Sequence, residues 1–282
     1  MLIHIFNGLV YGALLIVMCS GLALIYGLRR VVNFAHGSLY MLGAYLGYSI
    51  AVHSNFWVAL VAAPAVMAAL GVLLDRFGFR LLQDRDPLTV VLVTFGLLLV
   101  VEDFVQTVWG RGNLSMPAPG LLSTSIELLG MSVPAYRVAV IGVGTLVAIG
   151  LSLWLRYSSA GLFVRASSTD PTTTAMQGVN TDALSAGVVG LGTALAGLAG
   201  VVAAPFLALS PSMSSDVLID SFVVVVIGGL GSLAGAFVAA IVLGLVQSLG
   251  AVYLPAASAV LPFALMIAVL LWRPSGLAGS RT

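Results

Sequence analysis

SFVVVVIGGLGSLAGAFVAAIVLGLVQSLGAVYLPAASAVLPFALMIAVLLW, residues 221–272, runs for 52 residues without an acid or an Arg. About 20 apolar residues cross a hydrocarbon core of about 30 Å, so such a run belongs in lipid. It is interrupted by GGLGSLAGA at 228–236 and by Pro255. The rest of the chain agrees. Of 282 residues, 60% are hydrophobic and 7% charged, with a mean hydropathy of +1.14, against roughly 25% charged in a soluble domain. In lipid, backbone polar groups must be satisfied internally, which leaves helices. The fold expected is an all-α polytopic membrane protein: one transmembrane domain over 1–282, with about eight transmembrane helices and a broken or re-entrant Gly-rich element. The net charge of +1 carries no sign of nucleic-acid binding.

All eleven basic residues are Arg. Without Lys, a Walker A loop and Schiff-base chemistry are both excluded. Cys19 is the lone cysteine, so an intrachain disulfide and a Cys-based zinc site are excluded too. The opening MLIHIFNGLVYGALL lacks a basic n-region, and Met18 before Cys19 is not the small residue of a lipobox. A retained first span is expected.

Further spans read at 5–28, 31–52, 57–74, 87–109, 134–155 and 183–209. Gly8 and Gly12, Gly43 and Gly47, and the stripe Gly192, Ala196, Gly200, Ala204 supply small faces for close helix approach. With the N-terminus outside, Arg29, Arg30, Arg76, Arg80, Arg85, Arg156 and Arg165 fall inside, while Arg111 and Arg137 fall outside. Arg273 and Arg281 join the inside set only if 217–250 enters and returns, turning at 228–232. The first limb, roughly 13 residues, reaches about 20 Å, short of a full crossing. Gly228, Gly229, Gly231 and Ser232 therefore mark a backbone break that lines a pathway or an interface. Eight plain spans would put two more Arg residues on the wrong face.

The polar segment 156–182, RYSSAGLFVRASSTDPTTTAMQGVNTD, reads as a cytoplasmic loop with one short helix. Asp170 is placed to cap it, Pro171 suits its first position, and Gly178 suits a left-handed stop. Residues 171–177 would give about 10 Å of helix, a handle for a partner.

His36 and Ser38 invite a nucleophile–base reading. Two positions apart on a helix they point to different faces and no third group is evident, so a polar cluster at a helix start is the better reading. Glu102 and Asp103 fall about 22 Å along their helix, in its outer third, as a solvated rim pair or a contact in the pathway mouth. Asp216, Asp220 and Arg137 read as outer-surface charges, or as contacts to an external solute-delivering protein. GLGSLA at 229–234 matches a loose dinucleotide fingerprint but lies in apolar helix without the following acid. No set of intramembrane acids suggests ion coupling, so energy for uphill transport has to come from another subunit.

Two blocks resemble LivH-like permease subunits of branched-chain amino acid ABC importers. The first is NGLVYGALLIVMCSGLALIYGLRRVVNFAHGSLYMLGAY, residues 7–45; the second runs from GLGTALAGLAGVVAAPF through SPSM to GGLGSLAGAFVAA. Gly161, Arg165, Ala166, Ala175, Gly178 and Asn180 also stand at family-like positions, and the likeness covers most of the chain. It implies a non-enzymatic permease in the bacterial inner membrane, carrying branched-chain amino acids or related small polar solutes such as amides, urea or aromatic acids. It implies a second permease subunit (LivM-like or a second copy), two ATP-binding subunits holding ATP and Mg, and a periplasmic solute-binding protein. By the same resemblance Gly161, Arg165, Asp170, Pro171, Ala175, Gly178 and Asn180 form the ATPase-coupling segment. Asn33, His36, Ser38, Glu102 and the 228–232 break would lie near the pathway, with no metal. The Thr-rich STDPTTTAMQG and the Glu102–Asp103 pair depart from the family pattern. A stand-alone channel or facilitator, and an intramembrane enzyme using His36 and Ser38, are the competing readings.

Overall fold

The computed structural model describes residues 1–30, 33–82, 85–128 and 130–278. Arg281, one of the orientation residues, lies outside them. The chain begins with α1 (Leu2–Arg29), α2 (His36–His53), α3 (Phe56–Leu74, continued by a π-helical turn at Asp75–Phe79), α4 (Pro87–Trp109) and α5 (Ala135–Tyr157). It continues with α6 (Ser159–Thr169), α7 (Pro171–Met176), α8 (Thr181–Ala203), α9 (Met213–Gly228), α10 (Leu233–Tyr253) and α11 (Leu261–Trp272). Among the described residues, six helices are long and apolar enough to cross a membrane. The 18-residue α2 and the 12-residue α11 bring the set near the expected eight.

Burial separates an axis from a jacket. The apolar window of α1 is 89% buried and that of α8 is 72% buried; those of α3 and α4 are 22% buried and that of α5 is 17% buried. In an apolar solvent, burial of this kind is sustained by close packing rather than by hydrophobicity. The small residues supply it. Gly8 and Gly12 lie so close to α10 that a Cβ at either would stand 2.9 Å from a backbone Cα of Leu245 or Ile241. Gly21 meets Gly192 of α8, and Gly43 of α2 meets Gly197. Sequence spacing thus marks the faces that pack closely, and the fold supplies their partners.

Three features differ from expectation. The 110–133 segment holds an antiparallel hairpin, β1 (Ser125–Leu128) with β2 (Met131–Pro134), turning through Gly130 at φ 77°. The central polar segment carries two helices, not one. Ser158 starts α6 by accepting from the Gly161 N–H at 2.9 Å, and Gly161 sits against the backbone of Leu155. The first limb of the re-entrant element, α9, begins at Met213 and has 16 residues, about 24 Å, longer than the expected roughly 13. Residues 213–216, ahead of the expected entry at 217, are already helix because this turn packs against α2: Gly37 lies against the carbonyl of Ser214.

The break at 229–232 falls where expected. Gly229 (φ 97°) and Gly231 (φ 84°) take conformations that favour Gly, and Ser232 caps α10 by accepting from the Gly235 N–H at 3.2 Å. Gly228 folds back on Gly235 and Ala236, and a Cβ on Gly27, near the last turn of α1, would stand 3.5 Å from the Gly231 carbonyl. The C-terminal segment closes the break. Leu277 and Ala278 donate backbone N–H groups to the carbonyls of Ile227 (2.8 Å) and Gly228 (3.1 Å). These are orphan carbonyls of the α9 C-terminus, which need partners when buried.

Candidate functional site

Two groups of polar side chains stand out, one at the Arg-rich end of the bundle and one inside it. At the Arg-rich end, α7 is built from local signals. Asp170 accepts from the Thr173 N–H (3.0 Å) and hydroxyl (2.5 Å), and those bonds hold its carboxyl below the usual carboxylate range. Gly178 ends the turn at φ 84°, and Asn180 caps α8 by accepting from the Ala183 N–H at 2.9 Å. Gln177 is the C-cap, so the helix is one residue shorter than expected. Pro171, Ala175, Met176 and Gly178 are exposed, while Thr174 is buried inward. Gly161 is buried against α5, and Arg165 lines a cleft of about 550 Å³ with Tyr26, Arg30, Ser168 and Gly231.

The flanks of α7 are tied to the bundle. Arg29 pairs with Asp75 at 2.5 Å and donates to the Ser185 hydroxyl at 2.7 Å; that hydroxyl donates on to Asp75 at 3.1 Å. Arg30 donates to the Ser168 carbonyl at 3.0 Å, and Arg80 pairs with Asp182 at 2.8 Å. The first two contacts are buried: the side chains of Arg29 and Asp75 are 14% and 1% exposed. A paired buried charge holds its partners in one arrangement, because separating them leaves an uncompensated ion. The first turn of α8, just after α7, is therefore joined to the ends of α1 and α3. Arg29, Asp75, Arg80, Asp182 and Ser185 are absent from the sequence-level site. Their signal is opposite charge at the same ends of adjacent spans.

Inside the bundle, α2 starts at mid-depth of α1. His36 is fully buried and donates Nε2–H to the Met18 carbonyl at 2.9 Å, eleven residues before Arg29, about 16 Å. Ser38 donates to the Ala35 carbonyl (2.9 Å), and Asn33 accepts from the Ala35 N–H (3.0 Å). His36 and Ser38 bond to different backbone groups and not to each other. The polar cluster at a helix start is what the structure holds. Glu102 is half-buried and accepts from the Ser214 and Ser215 hydroxyls at the N-terminus of α9, where the helix dipole favours an anion. Asp103 is exposed.

Asp220 is not an outer-surface charge. It lies within α9 and accepts from the Tyr11 hydroxyl (2.5 Å) and the Gln247 amide (2.8 Å). Its acidic neighbour Asp216 is exposed as expected. Arg137 is half-buried, donating to Asn7 at 2.6 Å and lying 5.3 Å from the Phe206 ring centre. Neither Asp220 nor Arg137 can be placed from hydropathy alone, since both depend on which helices pack beside them.

Comparison with known proteins adds a second line. Residues 4–270 match the family described as branched-chain amino acid transport system / permease component. The high-affinity branched-chain amino acid transport system permease protein LivH of Salmonella typhimurium is 27% identical, over 98% of this chain and 94% of its own. BraD of Pseudomonas aeruginosa, a permease protein of the same description, is 28% identical over 97% of this chain and 94% of its own. A probable branched-chain amino acid transport permease protein LivH of Methanocaldococcus jannaschii is 24% identical over 97% and 91%. No solved structure gives a significant match.

Proposed function

This chain belongs to the family of permease components of branched-chain amino acid transport systems, and from its geometry we propose how it takes part in transport. It is a multi-pass membrane protein and a transport subunit rather than an enzyme. Its solutes are branched-chain amino acids, the class named for its relatives. It sits in the inner membrane of a bacterial cell with the Arg-rich end in the cytoplasm, by the bias of Arg toward that side. A second permease subunit completes the pathway, two ATP-binding subunits carry ATP and Mg, and a periplasmic binding protein delivers the solute. The chain has no Lys with which to build a phosphate-binding loop of its own.

The observation that carries the coupling role is α7. Its caps make it self-contained, its Pro171–Ala175–Met176 face is free, and its flanks run into buried polar ties. Motion of an ATP-binding partner presses on this face. The Arg29–Asp75–Ser185 tie passes the displacement to α1 and α3. The Gly-faced contacts of α1 with α8 and α10 then shift as packed units. The 229–232 break, against Gly27, lies next to the moving end of α1 and takes up the change in shape.

The test is L-leucine uptake into liposomes. The full complex is expected to accumulate leucine only with ATP inside the compartment of the ATP-binding subunits. Gly178→Pro is expected to uncouple hydrolysis from uptake while leaving assembly intact. ATP-independent leucine flux through this chain alone would instead make it a channel or facilitator.

A further inference from the structure

We propose that Asp220, with Tyr11 and Gln247, forms a subsite inside the bundle for the ammonium group of the translocated amino acid. The inference rests on the transport reading above and adds where the solute is held. Asp220 stands seven residues, about 10 Å, into α9. Its carboxylate is reached from two other helices, by Tyr11 of α1 at 2.5 Å and Gln247 of α10 at 2.8 Å. Both partners are neutral. Among the described residues the ion pairs are Arg29–Asp75 and Arg80–Asp182, so no cationic side chain balances Asp220. A structural tie of three helices needs only a neutral amide. A carboxylate without a countercharge in a membrane is expensive, and such residues mark functional positions.

Asp220, Tyr11 and Gln247 are each half-buried, so the cluster opens to one side of the chain. Buried desolvation then favours the salt bridge between Asp220 and the solute over either ion alone only while both are present, which gives selection for an amine.

The experiment uses the reconstituted complex with leucine-loaded binding protein, reading L-leucine uptake and ATP hydrolysis together. Loss of a charge-assisted hydrogen bond in Asp220→Asn is expected to lower uptake about tenfold or more, with hydrolysis within about twofold. Asp220→Glu should restore a substantial part. Tyr11→Phe, which keeps the charge, should cost uptake less than about threefold. Equal losses of uptake in Asp220→Asn and Tyr11→Phe, tracking a fall in thermal stability of both, would make the cluster a packing tie and overturn the proposal. Unchanged uptake per ATP in Asp220→Asn, with a working wild type, would overturn it while leaving the transport reading intact. A wild-type complex that moves no leucine would remove both. Uptake that requires sodium, with the requirement lost in Asp220→Asn, would assign the carboxylate to an inorganic cation instead.

Discussion

The molecule interrupts its helices in two kinds of place, and the two are held in opposite ways. Around α7 the helix caps are local, and long-range ties hold only its flanks. Ser158 reaches Gly161, Asp170 reaches Thr173 and Asn180 reaches Ala183, each three residues on. At 229–232 the positive-φ glycines are local, but the closure is not. Ile227 and Gly228 are satisfied by Leu277 and Ala278, and Gly231 leans on Gly27. An exposed turn has water to satisfy what its caps leave over. A buried one has no such reserve and borrows partners from distant parts of the chain. The difference suits the roles proposed for them: the exposed turn could be gripped and moved without unfolding, while the buried one would respond to its surroundings.

The comparison can be broken first at the ties that anchor the exposed element. Asp75→Ala leaves the buried Arg29 without its carboxylate and is expected to cost about 3–5 kcal/mol. Thermal unfolding in detergent reads this directly. Replacing both partners, Arg29→Met with Asp75→Leu, should recover most of the loss in stability but not the coupling of hydrolysis to uptake. Next comes the buried turn. Ending the chain after Pro274 removes two backbone hydrogen bonds, about 1 kcal/mol each, and leaves buried carbonyls exposed to nothing that satisfies them. Amide exchange of Ser232 and Gly235 should quicken, with α7 unaffected. Gly231→Ala forces a side chain into a left-handed conformation and should cost roughly 1 kcal/mol.

The smallest effect is expected at Asp170. Asp170→Ala should quicken exchange at Thr173 alone, leaving the thermal midpoint unchanged within error. The pH dependence follows from the depressed carboxyl. Its folded value lies below its unfolded one, chiefly through the Thr173 hydroxyl and then the Thr173 N–H. The cap is therefore fully present above the ordinary carboxylate range and is lost as pH falls through the lowered folded value. Exchange at Thr173 should stay slow through mild acid and rise only below that range.

The same contrast explains what was legible in the sequence. The caps of α7, the Gly8–Gly12 face and the glycine break could be read because their physical cause lies within a few residues. The membrane class followed from composition. The start of α2 beside Met18, the tie of Arg29 to Asp75 and the place of Asp220 between Tyr11 and Gln247 could not. Each joins helices far apart in the chain, and a lone charge near a span end looks the same whether it meets solvent or a neighbour. Asp220 in particular reads as a surface acid until α9 is known to start at Met213.

The most direct measurement concerns the free face of α7. Cys19 is the lone cysteine and is buried, so Cys19→Ser provides a background for a single cysteine placed by Ala175→Cys. In a complex that takes up leucine, the coupling account predicts crosslinking of this position to an ATP-binding subunit, with loss of uptake on crosslinking. A position 175 thiol that stays freely labelled by membrane-impermeant reagent from the outer compartment, or that is labelled with no effect on ATP-driven uptake, would contradict it.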